Sequence, residues 1–160
     1  MEPDGPHGPE LTPRSARVVA AVKLQRHTGR RRAGRFLAEG PNLVEAAARR
    51  GLVEEVFATS AAADRHAGLL EALPVRLVTE AAAKALSETV TPAGLVAVCQ
   101  LPQTDLSAVL AGRPRLIAVA VDLAEPGNAG TLIRTADALG AAAEVFAGHS
   151  VAPYNAKCLR

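Results

Sequence analysis

The chain has 160 residues, 18 Lys and Arg against 16 Asp and Glu, and a net charge of +2, with 34 alanines and only 2% aromatics. Its length allows one domain or two small ones. No stretch approaches the roughly 18 uncharged apolar residues of a membrane span, no apolar run follows the charges of MEPDGPHGPELTPR as in a secretory leader, and two cysteines, Cys99 and Cys158, are too few and too far apart for a disulfide framework or zinc site.

The pattern is that of a soluble, cytosolic α/β protein whose core is Leu, Val and Ile packed close through Ala. Residues 1–13, with Pro3, Pro6, Pro9 and Pro13, predict a disordered tail. A charge block follows. Arg14, Arg17, Lys23, Arg26, Arg30, Arg31, Arg32 and Arg35 put eight cations and no acid into residues 14–35, while the rest of the chain sums to −6. Such a block is either a solvated arm or a polyanion-binding surface. Arg outnumbers Lys seven to one in it, which favours phosphate, because guanidinium donates two parallel hydrogen bonds to phosphate oxygens. With only Phe36 nearby, backbone contact is favoured over base stacking.

VVAAVKLQR (18–26) predicts a helix with an apolar and a basic face, and TGRRRAGR a loop. FLAEG (36–40) predicts a buried strand. PNLVEAAARRG predicts a helix with Pro41 in its first turn and Gly51 as its stop. VEEVFAT, VRLVT and LVAVCQ read as further strands. SAAADRHAGLLEAL reads as one helix starting at Thr59 or Ser60, and EAAAKALSET as a helix capped by Thr79. Strand and helix alternate at short intervals, as in a small α/β layer sandwich.

The polar, proline-bearing stretch after residue 101 marks a domain boundary. LIAVAVD (116–122) is an unbroken apolar run of the kind found in strands covered on both faces. The turn LAEPGN leads into the helix AGTLIRTADALG, EVFAG gives the next strand, and PYNAKCLR begins another helix. Together they make one βαβ unit. Asp122 closes the strand, Pro126 and Gly127 turn the chain, and Asn128 stands at a helix start where its side chain can cap free amides. Open amides and the helix dipole there favour an anion. Arg134 falls about two turns in, roughly on the face of Gly127 and Asn128 rather than opposite them. Read as structure alone, Asn128 is an ordinary cap and Arg134 an ion-paired helix arginine, with Asp137 or Asp122 as partner.

VDLAEPGNAGTLIRTADALGA resembles the first motif of the SpoU/TrmH branch of the SPOUT superfamily, the RNA ribose 2′-O-methyltransferases, and APYNAKCLR is similar to the segment that follows it. FLAEGPNLVEAA, VEEVFAT and SETVTPAGLVAV resemble the family's N-terminal substrate-binding domain of L30e/L7Ae-like fold. The sequence departs from the family at Pro92, Ala93 and Gly94, where Gln commonly precedes the glycine. The resemblance implies a tail over 1–13, an RNA substrate-binding domain over 14–102, a linker over 103–114, and over 115–160 the first part of a parallel-sheet SPOUT domain (the α/β knot).

It further implies transfer of a methyl group from S-adenosylmethionine to RNA, ribosomal RNA before transfer RNA, by a homodimer that needs no metal. The cofactor site belongs to a knotted C-terminal segment whose motifs this sequence does not contain. Residues 115–160 are therefore expected to pack poorly alone and residues 14–100 to fold independently. The motif arginine that activates the ribose hydroxyl corresponds to Arg134, with Asn128 orienting the site. Two roles are open for it: a neutral base, costly because guanidinium gives up its proton only far above neutral pH, or a cation stabilising the developing alkoxide. Glu39 and Gly40 correspond to an RNA-contacting turn, although Glu39 also suits a capping acid. His27, His66 and His149 share no metal spacing, and Cys158 reads as a helix-face filler. The competing class is a non-catalytic RNA-binding module of L30e/L7Ae type.

Overall fold

The computed structural model describes residues 8–160. The chain divides into two compact units between Leu101 and Pro102. In the first, strands β1 (Arg35–Glu39), β2 (Val53–Ala58), β3 (Val75–Leu77) and β4 (Leu95–Gln100) form one sheet in the order β1-β4-β2-β3. β4 is antiparallel to β1 and β2, and β3 is parallel to β2. Leu95 to Cys99 of β4 are all buried, as an interior strand with helices over both faces requires.

On one face Leu37, Phe57, Val96 and Val98 pack against Val18 and Ala21 of α1 (Ala16–Val22) and Ala82, Ala83 and Leu86 of α6 (Glu80–Leu86). Alternation along the strands sends Phe36, Ala38, Ala97 and Cys99 to the opposite face, where α3 (Pro41–Arg49) lies against β1, β2 and β4 with Val44 and Ala47 buried. The many alanines at these contacts let helix and sheet approach closely without aromatic bulk.

Thr59 and Thr79 cap α4 (Ser60–Arg65) and α6, each accepting at 3.2 Å from the amide three residues on. A Cβ on Gly94, at φ +71, would stand 2.8 Å from the Thr59 hydroxyl, so only glycine fits under that cap.

Three expectations for this unit are corrected. The stretch TGRRRAGR is not a loop: His27–Ala33 form helix α2, closed by Gly34 at φ 64, whose amide donates to the Arg30 carbonyl at 2.8 Å. The single helix expected from residue 60 breaks at His66 into α4 and α5 (Ala67–Leu70). Of the expected disordered tail, residues 1–7 lie outside the described residues, but Leu11 is tied to the sheet edge. It bridges Val78, its amide donates to the Leu77 carbonyl at 2.8 Å, and its carbonyl accepts from Thr79 at 3.0 Å. Pro9 and Pro13 flank Leu11 without occupying it, so proline content misrepresents this one residue's pairing capacity.

In the second unit β5 (Ile117–Val121) and β6 (Ala143–Ala147) pair in parallel, Ile117 opposite Ala143, with α8 (Pro126–Ala138) between them in sequence. The polar stretch expected as a linker carries helix α7 (Leu106–Ala111), capped by Asp105, whose carboxylate accepts from the Ser107 amide at 2.9 Å. The helix α9 (Ala156–Leu159) follows β6. LIAVAVD is not covered on both faces: Val119 is 60% and Val121 66% exposed, and only Ala120 of β5 is buried. Among the described residues no helix is long and apolar enough to cross a membrane.

Candidate functional site

The turn after β5 sets up the second unit's site. Asp122 takes a left-handed backbone, φ 55, and its carboxylate accepts from the His149 amide at 2.8 Å, lacing the ends of β5 and β6 together. Pro126 opens α8 in the position where its missing amide costs nothing. The cap is Glu125, which accepts from the Gly127 amide at 3.3 Å. This corrects the assignment to Asn128, which lies inside the first turn, exposed and outside the capping position.

It also removes the expected anion site. Pro126 has no amide, Glu125 already takes the amides of Gly127 and Ala129, and its carboxylate places negative charge at that helix end.

Arg134 is exposed, and the structure gives it none of the ion pairs considered for it. Among the described residues it is joined to neither Asp137 nor Asp122, the latter being engaged with His149. Its guanidinium runs back along α8. Nη2 lies 3.5 Å from the Thr131 hydroxyl, which itself donates to the Gly127 carbonyl at 3.0 Å. A Cβ on Gly130 would stand 3.1 Å from Arg134 Nη1 and 2.8 Å from the Cys158 carbonyl, so that glycine makes room for both the guanidinium and α9. The result is an exposed cation with no acid paired to it among the described residues. Sequence reasoning passed over Thr131 and Gly130; the i, i+3 and i, i+4 spacings from Thr131 to Arg134 and Gly130 to Arg134 were the available signal.

The basic block separates into distinct groups. Arg30 is 5% exposed, and its Nη1 donates to the carbonyls of Leu24 and Gln25 at 3.1 and 3.0 Å. It satisfies the end of the 3-10 turn Lys23–Gln25 rather than facing solvent, which corrects its assignment to RNA. Arg17 pairs with Glu55 at 3.0 Å and Arg35 with Glu54 at 2.6 Å. Arg14 is exposed. Lys23, Arg26, Arg31 and Arg32 line an open groove of about 1140 Å³ over α1, the 3-10 turn and α2.

Neighbouring arginines should therefore respond differently to truncation. Arg30→Ala is expected to cost about 1.5–3 kcal/mol, the worth of charged hydrogen bonds to buried carbonyls. Arg31→Ala should stay within about 0.5 kcal/mol, as surface substitutions do. Urea unfolding of the two variants measures the difference, and equal costs would contradict the burial of Arg30.

Glu39 caps no helix. It ends β1 and accepts from the hydroxyls of Ser87 and Thr89, the latter at 3.1 Å, and from the Glu88 amide at 3.3 Å. It thus clasps the loop before β4. Gly40, at φ 88, turns the chain from β1 into α3 and donates its amide to the Leu95 carbonyl at 2.9 Å. Burial, and then the nearby Glu54 charge, push the Cys99 thiol up to about 12, which makes it inert at neutral pH. Cys158 is buried on α9. No group of three His, Cys, Asp or Glu among the described residues is placed to hold a metal ion.

Residues 15–97 match the model of the MRM3-like substrate binding domain. The chain is 36% identical over 142 residues to the 23S rRNA (guanosine(2553)-2′-O)-methyltransferase RlmP of Bacillus subtilis, the match covering 86% of this chain and 54% of the relative. A 23S rRNA (uridine(2479)-2′-O)-methyltransferase of Streptomyces viridochromogenes is 40% identical over 70 residues, which cover 43% of this chain and 24% of that protein.

Among solved structures, an RNA 2′-O ribose methyltransferase superposes with a TM-score of 0.75 at 33% identity, over 95% of this chain and 60% of the other. The SpoU methyltransferase AviRb of Streptomyces viridochromogenes, in complex with the cofactor AdoMet, superposes with a TM-score of 0.75 at 29% identity, over 92% and 58%. The matches thus span 54% of the Bacillus subtilis relative and 60% and 58% of the two solved structures.

Proposed function

Because the chain belongs to the MRM3-like substrate-binding domain family, we propose that it is the RNA-holding unit and first catalytic segment of a SpoU-type ribosomal RNA ribose 2′-O-methyltransferase. The observation that carries this reading is Arg134: exposed, without an ion pair among the described residues, and held over Gly130 by Thr131.

A ribose 2′-hydroxyl is a poor nucleophile and must lose its proton as it attacks. Arg134 faces the developing alkoxide, where a positive charge in place lowers the barrier most. Asn128, earlier on the same helix, orients the sugar through its side-chain amide. Arg14, Lys23, Arg26, Arg31 and Arg32, the exposed cations of residues 14–35 that no acid neutralises among the described residues, hold the RNA together with the turn of Glu39 and Gly40.

S-adenosylmethionine supplies the methyl group. The residues present here do not fit it. At the ends of β5 and β6 the polar atoms are taken by one another: Ser150 Oγ accepts from the Leu123 amide at 3.1 Å and donates to the Ala147 carbonyl at 2.7 Å. A Cβ on Gly148 would come 2.3 Å from the Asp122 carboxylate, so the turn is filled. The cofactor site accordingly belongs to the C-terminal portion that the relatives have beyond the matched half. A cytoplasmic homodimer completes the proposal.

Calorimetry tests it. S-adenosylmethionine should give no binding heat with residues 1–160 and a clear isotherm once the chain is joined to the C-terminal portion of the Bacillus subtilis relative. No heat from either protein counts against the reading.

A further inference from the structure

The groove over α1 and α2 goes further than the sequence block from which it is made. Two observations show that it is built rather than merely basic. A Cβ on Gly29 would stand 1.9 Å from the Lys23 carbonyl, so α2 lies directly on the 3-10 turn and only glycine allows that approach. Arg30 then ties α2 to the same turn through the Leu24 and Gln25 carbonyls. The corner is rigid, and it presents Lys23, Arg26, Arg31 and Arg32 along one groove.

Charge is sorted across the block as well. The arginines outside the groove that face the sheet, Arg17 and Arg35, are neutralised by Glu55 and Glu54. No acid and no aromatic side chain is among the described residues lining the groove.

We infer that this corner is a preformed site for the sugar–phosphate backbone of RNA, held by Lys23, Arg26, Arg31 and Arg32 without stacking or base readout. The inference rests on the proposal that the partner is RNA, and adds where and how it is held. Four cations converging on one groove suit successive phosphates. The guanidinium fork matches phosphate oxygens. The absence of aromatics removes the usual platform for unstacked bases. Binding at this corner is therefore indifferent to sequence and steeply weakened by salt.

Fluorescence anisotropy of the full chain with a short fluorescein-labelled single-stranded RNA of mixed sequence, over a salt series, tests this. The variant Lys23→Ala/Arg26→Ala/Arg31→Ala/Arg32→Ala, its fold checked by circular dichroism, should bind about tenfold or more weakly. The slope of log affinity against log salt should shrink by about 0.7 for each phosphate that the variant no longer neutralises. The same oligonucleotide with a neutral methylphosphonate backbone should not bind. Arg17→Ala/Arg35→Ala should bind like the parent chain.

Equal losses in the two variants would mean diffuse attraction rather than a groove and would overturn the inference. So would unchanged affinity in the fourfold variant, or absence of RNA binding alongside tight binding to phosphatidylserine vesicles. The two proposals fail separately. RNA bound equally by the fourfold variant, with methylation still dependent on Arg134, sinks only the corner. Lost RNA binding with methylation indifferent to Arg134 sinks only the catalytic reading.

Discussion

Arg134→Ala is expected to lower the rate of ribose methylation by about 10²–10³-fold, the usual loss when one donor to a developing oxyanion is removed. The enzyme to be measured is the chain joined to a relative's C-terminal portion, with tritiated S-adenosylmethionine and ribosomal RNA. RNA affinity should stay close to that of the parent, because Arg134 is one exposed cation apart from the groove of Lys23, Arg26, Arg31 and Arg32. Arg134→Lys separates the two chemical roles. An ammonium replaces a cationic stabiliser while it keeps its proton, whereas a lysine acting as base works only as it loses that proton, so the pH dependence of the recovered rate tells them apart. Recovery by lysine that does not rise with pH therefore supports the charged role. A variant as active as the parent would remove Arg134 from the chemistry altogether.

The second large effect is on stability. Phe57→Ala should destabilise the first unit by about 3–5 kcal/mol, the range for removing a buried phenylalanine. Phe57 is 1% exposed and sits in the cluster that joins β2 to α1, α6 and β4. Hydrogen exchange reads the effect by region. Amides of β4 should lose protection in the variant, while those of β5 and β6 should keep whatever protection they had, since the two units have separate cores. In the parent chain β5 should already exchange faster than β4, because Val119 and Val121 are exposed and every residue from Leu95 to Cys99 is buried. Equal protection of β4 and β5 would contradict this.

Much of this architecture is legible in the residues. Alternation and turn residues mark β1 to β6, since Leu95–Gln100 and Ile117–Val121 are apolar runs of strand length bounded by polar or turn residues. Thr59 and Thr79 announce their helices through capping chemistry. What stays hidden depends on tertiary partners. Arg30 looks like Arg31 and Arg32 in sequence, yet one carbonyl pair from the preceding turn makes it interior. Gly29 reads as a loop residue, but it marks a close approach of helix to turn. Asn128 is a good cap by composition, and loses that place to Glu125 because the proline shifts the helix start three residues earlier. The partial cover of β5, by contrast, agrees with the expectation that residues 115–160 pack poorly alone.

The site divides in the same way. The position of Arg134 on the face of Gly127 follows from helical spacing, whereas its freedom from Asp122 follows from the lacing of Asp122 to His149. Glu39 shows the reverse case: its place at the end of β1 is readable, but its partners Ser87 and Thr89 come from a loop far along the chain.

Mapping ribose methylation across the ribosomal RNA of cells with and without this gene tests the central claim most directly. The expected result is the loss of a 2′-O-methyl group at one nucleotide in the deleted strain, restored by this chain joined to a relative's C-terminal portion and not by the Arg134→Ala form of that fusion. An identical methylation map in both strains would contradict it.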